Sequence, residues 1–450
     1  MGEKQKVVDM TSGSIMPMII RFSVPLVCGS VCSQLYSIVD SYVSGNAIGD
    51  SATAAIGATY ALYTLMTQFV YGFVVGFSQV VARAFGAHDR EKIKRTTAGM
   101  IVFSLGISVL TAAVILALMN PIMSITNVPD SILADAKSYI SILTAGLPVY
   151  TAYNMFMAVI NSFGNSSLSL VTMITCSFMN IALDFLLVSS FKMGIAGIGL
   201  ATVISQLVSA AVCGIYMFRN YRDFMPERKH LSFSSYTVNE LMRDGIAVCA
   251  MFTIVEIGSV MYDSANNNLG DEMIAAHSLS RNVLNVFSSI LGAIEKAGAV
   301  FVGQNFGAGN EKRTAEGIRK VNILEAAAGI LTFVLILIAG RPLIELISGS
   351  SNQVIIDNAV LSLRIHFSMM APLGIVLAMR AELQTMGYVT APIICSVFEL
   401  FFKMFASYWL IPTIGFIGTS ITEPVVWLIC STGLMAYYAV VSKRKTAVRQ

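Results

Sequence analysis

Arg83–Asp89 (RAFGAHD) returns 221 residues later as Gln304–Asn310 (QNFGAGN), and each copy sits between long apolar runs. The same shift lays Gly49-Asp50 on Gly270-Asp271, Gly194 on Gly415 and Gly197 on Gly418. Four matches at one offset mark a duplicated chain. Duplication in a chain that is apolar throughout points to a membrane protein of two equivalent halves, the architecture of many secondary transporters.

Hydrophobic residues make up 55% of the 450 and charged ones 12%, about half the charged content of a soluble domain. Apolar stretches of roughly 18 to 25 residues recur, long enough to cross a ~30 Å hydrocarbon core as helices. Twelve are expected, at 15–45, 52–80, 97–119, 138–160, 169–190, 194–218, 245–266, 273–301, 321–340, 359–384, 391–411 and 416–440. Pro25 lies inside the first, where a kink or an interfacial start is expected.

Lys and Arg are distributed by side. The N-terminus, the segment after span 2, the span 6–7 link, the span 8–9 loop and the C-terminus together hold 21 of the 29 basic residues. With twelve spans these all fall on one face, while the opposite loops carry Asp130, Asp135, Asp271 and Glu272. The asymmetry puts both termini in the cytoplasm and the chain in the cell membrane. The net charge of +3 reflects this sidedness; no basic stripe interleaved with aromatics suggests nucleic acid. All seven cysteines fall within spans, lack zinc spacing and read as buried free thiols. No cleavable signal peptide is expected, because the first apolar run is too long.

Residues 219–243 form the one sizeable polar linker and divide the spans six and six. The expected fold is an all-α integral membrane protein with twelve transmembrane helices. They form two six-helix lobes, 1–218 and 244–440, followed by a basic tail at 441–450. Six is even, so the repeats are parallel and related by a pseudo-twofold axis along the membrane normal. Gly86 and Gly307 in the twin FGA loops suit a tight turn after the helix. Those loops read either as parts of a cytoplasmic gate or as topology signal plus turn.

An ionised carboxylate near mid-membrane costs roughly 2.5–3.5 kcal/mol on insertion scales. Asp40 lies deep in span 1 (YSIVD); Asn180 and Asp184 in span 5 (MNIALD) are spaced i,i+4 and share a face. Thr202 in span 6 and Asn154 in span 4 offer neutral oxygens. Such a set suits a dehydrated Na⁺ or a shared proton, against the alternative of a polar helix–helix clamp. At the 221 shift Asp40, Asn180 and Asp184 meet Met261, Phe401 and Phe405, so the cluster is expected in the first lobe alone. In the second, Glu256 stands among apolar neighbours as a candidate ion or cationic-substrate contact. Glu399 and Lys403 are i,i+4 and are expected to neutralise one another. Arg380 and Glu382 are read as snorkelling at the cytoplasmic end of span 10.

No HExxH, GxSxG, phosphate loop or paired cysteine ligand set is present, so neither catalysis, nor a cofactor, nor a metal other than Na⁺ is expected. Without a nucleotide-binding domain, transport would run on an ion gradient.

LYSIVDSYVSGNAIGDSATAAIG in span 1 and its loop, FGAHD after span 2, FVGQNFGAGNEKR after span 8 and RAELQTMG at the end of span 10 resemble the multidrug and toxic compound extrusion transporters. These belong to the oligosaccharidyl-lipid flippase superfamily. The resemblance covers essentially the whole chain. It implies a two-lobed exporter, functional as a monomer in the bilayer, that exchanges small amphipathic and often cationic compounds for Na⁺ or H⁺. In the DinF-like branch the coupling site is N-lobal, and its residues match Asp40, Asn180, Asp184 and Thr202, with Tyr36 and Asn154 placed near it and Pro25 as the helix 1 hinge. The NorM-like branch couples through C-lobe acids; Glu256 is near one of them, but span 10 here has no Asp. The nearer match is the DinF-like branch. A lipid or lipid-linked oligosaccharide flippase of the same superfamily is the alternative, and it would need a cationic cavity for phosphate.

Overall fold

The computed structural model describes residues 8–48, 50–349 and 352–448; the side chains of 35–52 and 444–448 are outside that description. Among these residues the chain forms helices joined by loops, with no strand. In order come α1 (Ile15–Ile48), α2 (Asp50–Gly86), α3 (Arg90–Ala117), α4 (Met119–Ile125), α5 (Asp130–Ala145), α6 (Leu147–Ser162), α7 (Ser167–Asp184) and α8 (Ile195–Asn220). After a linker come α9 (Ser235–Asn267), α10 (Asp271–Gly307), α11 (Glu311–Ser348), α12 (Gln353–Ser368), α13 (Met370–Thr385), α14 (Thr390–Phe405), α15 (Ile411–Ile414) and α16 (Phe416–Val448).

Among the described residues ten helices are long and apolar enough to cross a membrane, and two bent pairs raise the number to twelve. Leu110, Phe178 and Ile338 are 65%, 70% and 75% exposed, as side chains facing lipid would be. The bends fall between α5 and α6 (42°) and between α12 and α13 (51°). At the first, Pro148 lies two residues after Gly146; at the second, Pro372 is the third residue of α13. Proline cannot donate to the preceding turn, and glycine lets α8 come close: a Cβ on Gly146 would lie 2.3 Å from Val203. At Pro25, by contrast, α1 continues as helix.

The duplication is visible in backbone conformation. Gly194 (φ 58°, ψ −140°) and Gly415 (φ 63°, ψ −142°) adopt the same conformation, one that L side chains rarely enter. A π-turn at Phe185–Ser190 has its counterpart at Ala406–Leu410. Asp89 caps α3 by accepting from Lys92 N at 2.9 Å, and Asn310 caps α11 by accepting from Arg313 N at 3.2 Å. A tight turn follows Gly86 and Gly307 as expected, but neither glycine is its left-handed residue. Each ends its helix, and the left-handed residue is His88 (φ 53°) or Gly309 (φ 71°), two positions later.

The chain divides into two compact units. The N-half unit is Val24–Cys249 with the described part of Met1–Met10; the C-half unit is Thr11–Ser23 with Ala250–Gln450. The first helix of each six-span set therefore begins in the other half's unit. Helix α1 passes over at Ser23/Val24, beside Pro25, and α9 at Cys249/Ala250.

In the N-half unit, Gly72 and Gly76 of α2 lie against α9 so closely that a Cβ would meet Cys249 Cα at 2.5 Å and the Asp244 carbonyl at 2.6 Å. This is small-xxx-small helix packing. Arg83 closes the contact, 2.6 Å from Asp244 and 3.2 Å from Glu240. The segment between α8 and α9 is folded onto α3: Lys94 reaches Glu227 at 2.5 Å and buried His230 meets Glu91 at 3.1 Å. Phe224 from this segment packs edge-on against Phe85 and at a tilt against Phe163. The C-half core gathers Leu291, Ile344, Leu363, Phe367 and Met370. Of the seven cysteines, Cys213, Cys249 and Cys430 are buried, but Cys28 is exposed; the expectation of seven buried thiols does not hold, because a spanning helix shows one flank to lipid.

Candidate functional site

Helix α7 buries one face of small and polar residues, Ser169, Thr172, Asn180 and Asp184, against the rest of the N-half unit. Asn180 and Asp184 are 3% and 2% exposed, one turn apart, and Asp184 is the last residue before the π-turn. Among the described residues the side-chain amide of Asn180 has no hydrogen-bond partner, an expensive condition in an apolar medium. Asn154 and Thr202 are half-buried on α6 and α8 and bond to their own helices, Asn154 to Tyr150 O at 2.9 Å and Thr202 to Ile198 O at 3.1 Å. Such a back-bond leaves the amide oxygen of Asn154 and the hydroxyl lone pairs of Thr202 available to a cation. Tyr36 and Asp40 lie outside the described side chains.

The corresponding helix of the second half buries a different pair. Phe401 and Phe405, which the 221 shift sets opposite Asn180 and Asp184, are 62% and 47% exposed. The buried i,i+4 pair of α14 lies two residues earlier, at Glu399 and Lys403. Each half thus buries one polar pair on the corresponding helix. The halves differ in sign: an amide and an acid in the first, an acid and a base in the second.

Glu399 and Lys403 meet at 3.1 Å as expected, but they are the middle of a longer chain. Arg380 of α13 donates to Glu399 at 2.9 Å, and Lys403 also reaches Glu423 of α16 at 3.3 Å. Glu423 accepts from Arg281 of α10 at 2.5 Å. The order is Arg281, Glu423, Lys403, Glu399, Arg380: alternating charges from four helices. Lys403 donates further to Ser259 of α9 at 3.0 Å, and its stem passes Gly258. His366 Nδ1 donates to the Ser362 carbonyl at 2.8 Å, and Nε2 lies 3.8 Å from Glu423.

All five charged side chains line one cavity of about 220 Å³, whose apolar walls include Leu284, Leu373, Val376 and Trp427. Val255 and Ser259 line it as well, whereas Glu256, half-buried between them in sequence, does not. Arg380 and Glu382 do not snorkel. Both are buried, Arg380 in its pair with Glu399 and Glu382 accepting from Asn322 at 3.3 Å. Glu325 on α11 is fully buried, and neither of its carboxylate oxygens has a partner among the described residues. Arg281, Glu325 and Glu423 were not singled out from sequence, although each is a lone ionisable residue inside an apolar run and the membrane-cost argument covers it.

The MatE family profile matches residues 25–186 and again 247–409, two segments offset by nearly the same shift as the internal repeat. The chain belongs to the MatE family. A membrane protein of this family spans the bilayer many times, as the twelve apolar segments require. The chain is similar to the probable multidrug resistance protein YoeA of Bacillus subtilis (strain 168), 22% identical over 438 residues, with 95% of this chain and 94% of the relative covered. It is also similar to the multidrug export protein MepA of Staphylococcus haemolyticus (strain JCSC1435), 22% identical over 348 residues and 77% of each chain. The fold is that of solved MATE structures. A crystal structure of MATE in complex with MaL6 superposes with a TM-score of 0.91 at 18% identity, over 98% of this chain and 100% of that one. An outward-facing multidrug resistance MATE family transporter of the MOP superfamily gives 0.90, also at 18% identity, over 98% of this chain and 99% of that one.

Proposed function

We propose that this MatE chain is a secondary active exporter of small amphipathic compounds in the cell membrane. It exchanges them for Na⁺ or H⁺ through an acidic site in the N-half unit, as in the DinF-like branch. The observation that carries the reading is the buried Asn180–Asp184 pair, one turn apart on a helix that otherwise needs no acid. Relatives named as multidrug resistance and export proteins support export as the activity.

In this reading Asp40 and Asp184 hold either the coupling ion or a cationic substrate, with Asn180, Thr202, Asn154 and Tyr36 around them. Neutralising the acids removes the field that retains the substrate, and α1 yields near Pro25 as the site reopens to the outside. The driving force is about 2.3 kcal/mol per charge per 100 mV, with about 1.4 kcal/mol for each pH unit. One or two ions therefore sustain concentration ratios of tens to thousands. The test is cationic-dye efflux from proteoliposomes under separate Na⁺ and H⁺ gradients. Efflux that follows one gradient supports the antiporter and names the ion; no dye movement under either gradient overturns it. One observation favours a second reading, a flippase for anionic lipid headgroups: the C-half cavity is lined by three cations against two carboxylates.

A further inference from the structure

We propose that the C-half cavity is a binding site for an anionic oxygen acid, a carboxylate or a phosphate, carried on an apolar body. The chain of charges lining it begins and ends with a guanidinium, and its three cations face two carboxylates. A buried charge left without a counterion is costly, and an arginine at each end offers the planar donor fork that matches a carboxylate or phosphate. Arg380 is 7% exposed, and its Nε has no partner among the described residues. Arg281 is bonded on one side to Glu423 and lines the cavity on the other.

The other titratable groups around the cavity do not supply the missing anion from within it. Glu256 and Asp263 of α9 and Glu295 of α10 are within electrostatic range of Arg281, Lys403 or Arg380. None of the three lines the cavity, and no ion pair among the described residues joins them to the five-residue chain. His366 of α12 approaches Glu423, an anion already shared by two cations. The volume of about 220 Å³ is below the ~300–1,000 Å³ of drug-sized sites, so it suits one acid group and a ring-sized body. The proposal deepens the export reading by naming what the second half holds. It is read as binding, not transport, so the two fail separately.

The chain has two tryptophans; Trp427 lines the cavity and Trp409 is exposed. Trp409→Phe leaves Trp427 as the reporter in the purified full chain. It would be titrated with 4-tert-butylbenzoate, with its amide and benzylammonium counterparts of the same shape, and with dihexanoyl phosphatidate. An anion should half-saturate the Trp427 response at a concentration about tenfold or more below that of the amide and the ammonium, as a charge-assisted bond provides. A response to benzoate assigns the site to small carboxylates, and a response to phosphatidate alone assigns it to a lipid headgroup; both uphold the anion site. Equal half-saturation by benzoate, phosphatidate and amide, tighter binding of the ammonium, or no response to either anion would overturn it. Arg281→Gln should raise the anion's half-saturation about tenfold without moving the amide's, and Arg281→Lys should retain part of the preference. If Arg281→Gln does not fold, the ranking of the four probes decides alone.

Discussion

Arg281 of α10 and Glu423 of α16 meet at 2.5 Å across 142 residues of sequence, closing a line of alternating charge through the C-half unit. Lys403, the middle member, is 2% exposed and holds two carboxylates. Its replacement by Met would leave Glu399 with one partner and Glu423 with one strong partner in a medium that does not solvate them. Removing one member of a buried ion pair costs about 3–5 kcal/mol. Lys403→Met should therefore lower the thermal midpoint by several degrees in detergent, and addition of Glu399→Gln should lower it further, because buried Arg380 then loses its carboxylate. A midpoint unchanged in Lys403→Met would mean that the network contributes nothing to stability.

Gly76 packs against the backbone of α9, whereas Gly106 on α3 has nothing within 4 Å of where a Cβ would stand. Gly76→Leu should abolish a monodisperse folded protein in size-exclusion chromatography. Gly106→Ala should be neutral or stabilise slightly, by up to about 1 kcal/mol, as alanine does in a helix interior. The pair separates close helix packing from glycine content.

Gly194 and Gly415 have open space around them, so the cost of a side chain there is set by the backbone. Gly194→Ala and Gly415→Ala should each cost about 1–3 kcal/mol, and the two should agree because the conformations do. Differential scanning fluorimetry reads both. A large loss at one and none at the other would break the conformational equivalence of the halves.

Glu227 in the segment between α8 and α9 is held below the ordinary carboxylate range, first by its hydrogen bond from Lys94 and then by the charge of Lys229. A carboxyl whose folded pKa is depressed adds stability above its unfolded value and loses it as pH falls through the folded one. Docking of 221–234 on α3 should be constant from neutral pH down to about 4.5, the ordinary glutamate value, and should weaken below it. Hydrogen exchange of that segment, corrected for intrinsic rate, checks this. Protection that instead declines as pH rises from 5 to 8 would contradict it.

The architecture was legible because hydrophobic length and repeat spacing are local properties. Twelve apolar runs became ten long helices and two bent pairs, and the Glu399–Lys403 pair followed from i,i+4 geometry alone. What escaped was non-local. Arg281 and Glu423 are single charges in separate spans, and only packing brings them together. The 221 shift carries Asp184 onto Phe405, each the last residue before a π-turn, but it does not preserve the buried face, and α14 buries Glu399 and Lys403 two residues earlier. Pro25 drew the expectation of a kink and lies inside a continuous helix; the bends between paired helices fall beside Pro148 and Pro372, where the helices break at Gly146 and Met369.

The central claim rests on Asp184, and gradient-driven dye efflux from proteoliposomes carrying Asp184→Asn or Asp184→Glu tests it most directly. The account predicts that Asn abolishes efflux driven by the coupling gradient, while Glu, which keeps the charge, retains a measurable fraction. Efflux at the wild-type rate in Asp184→Asn, under the gradient that drives the wild type, would contradict it.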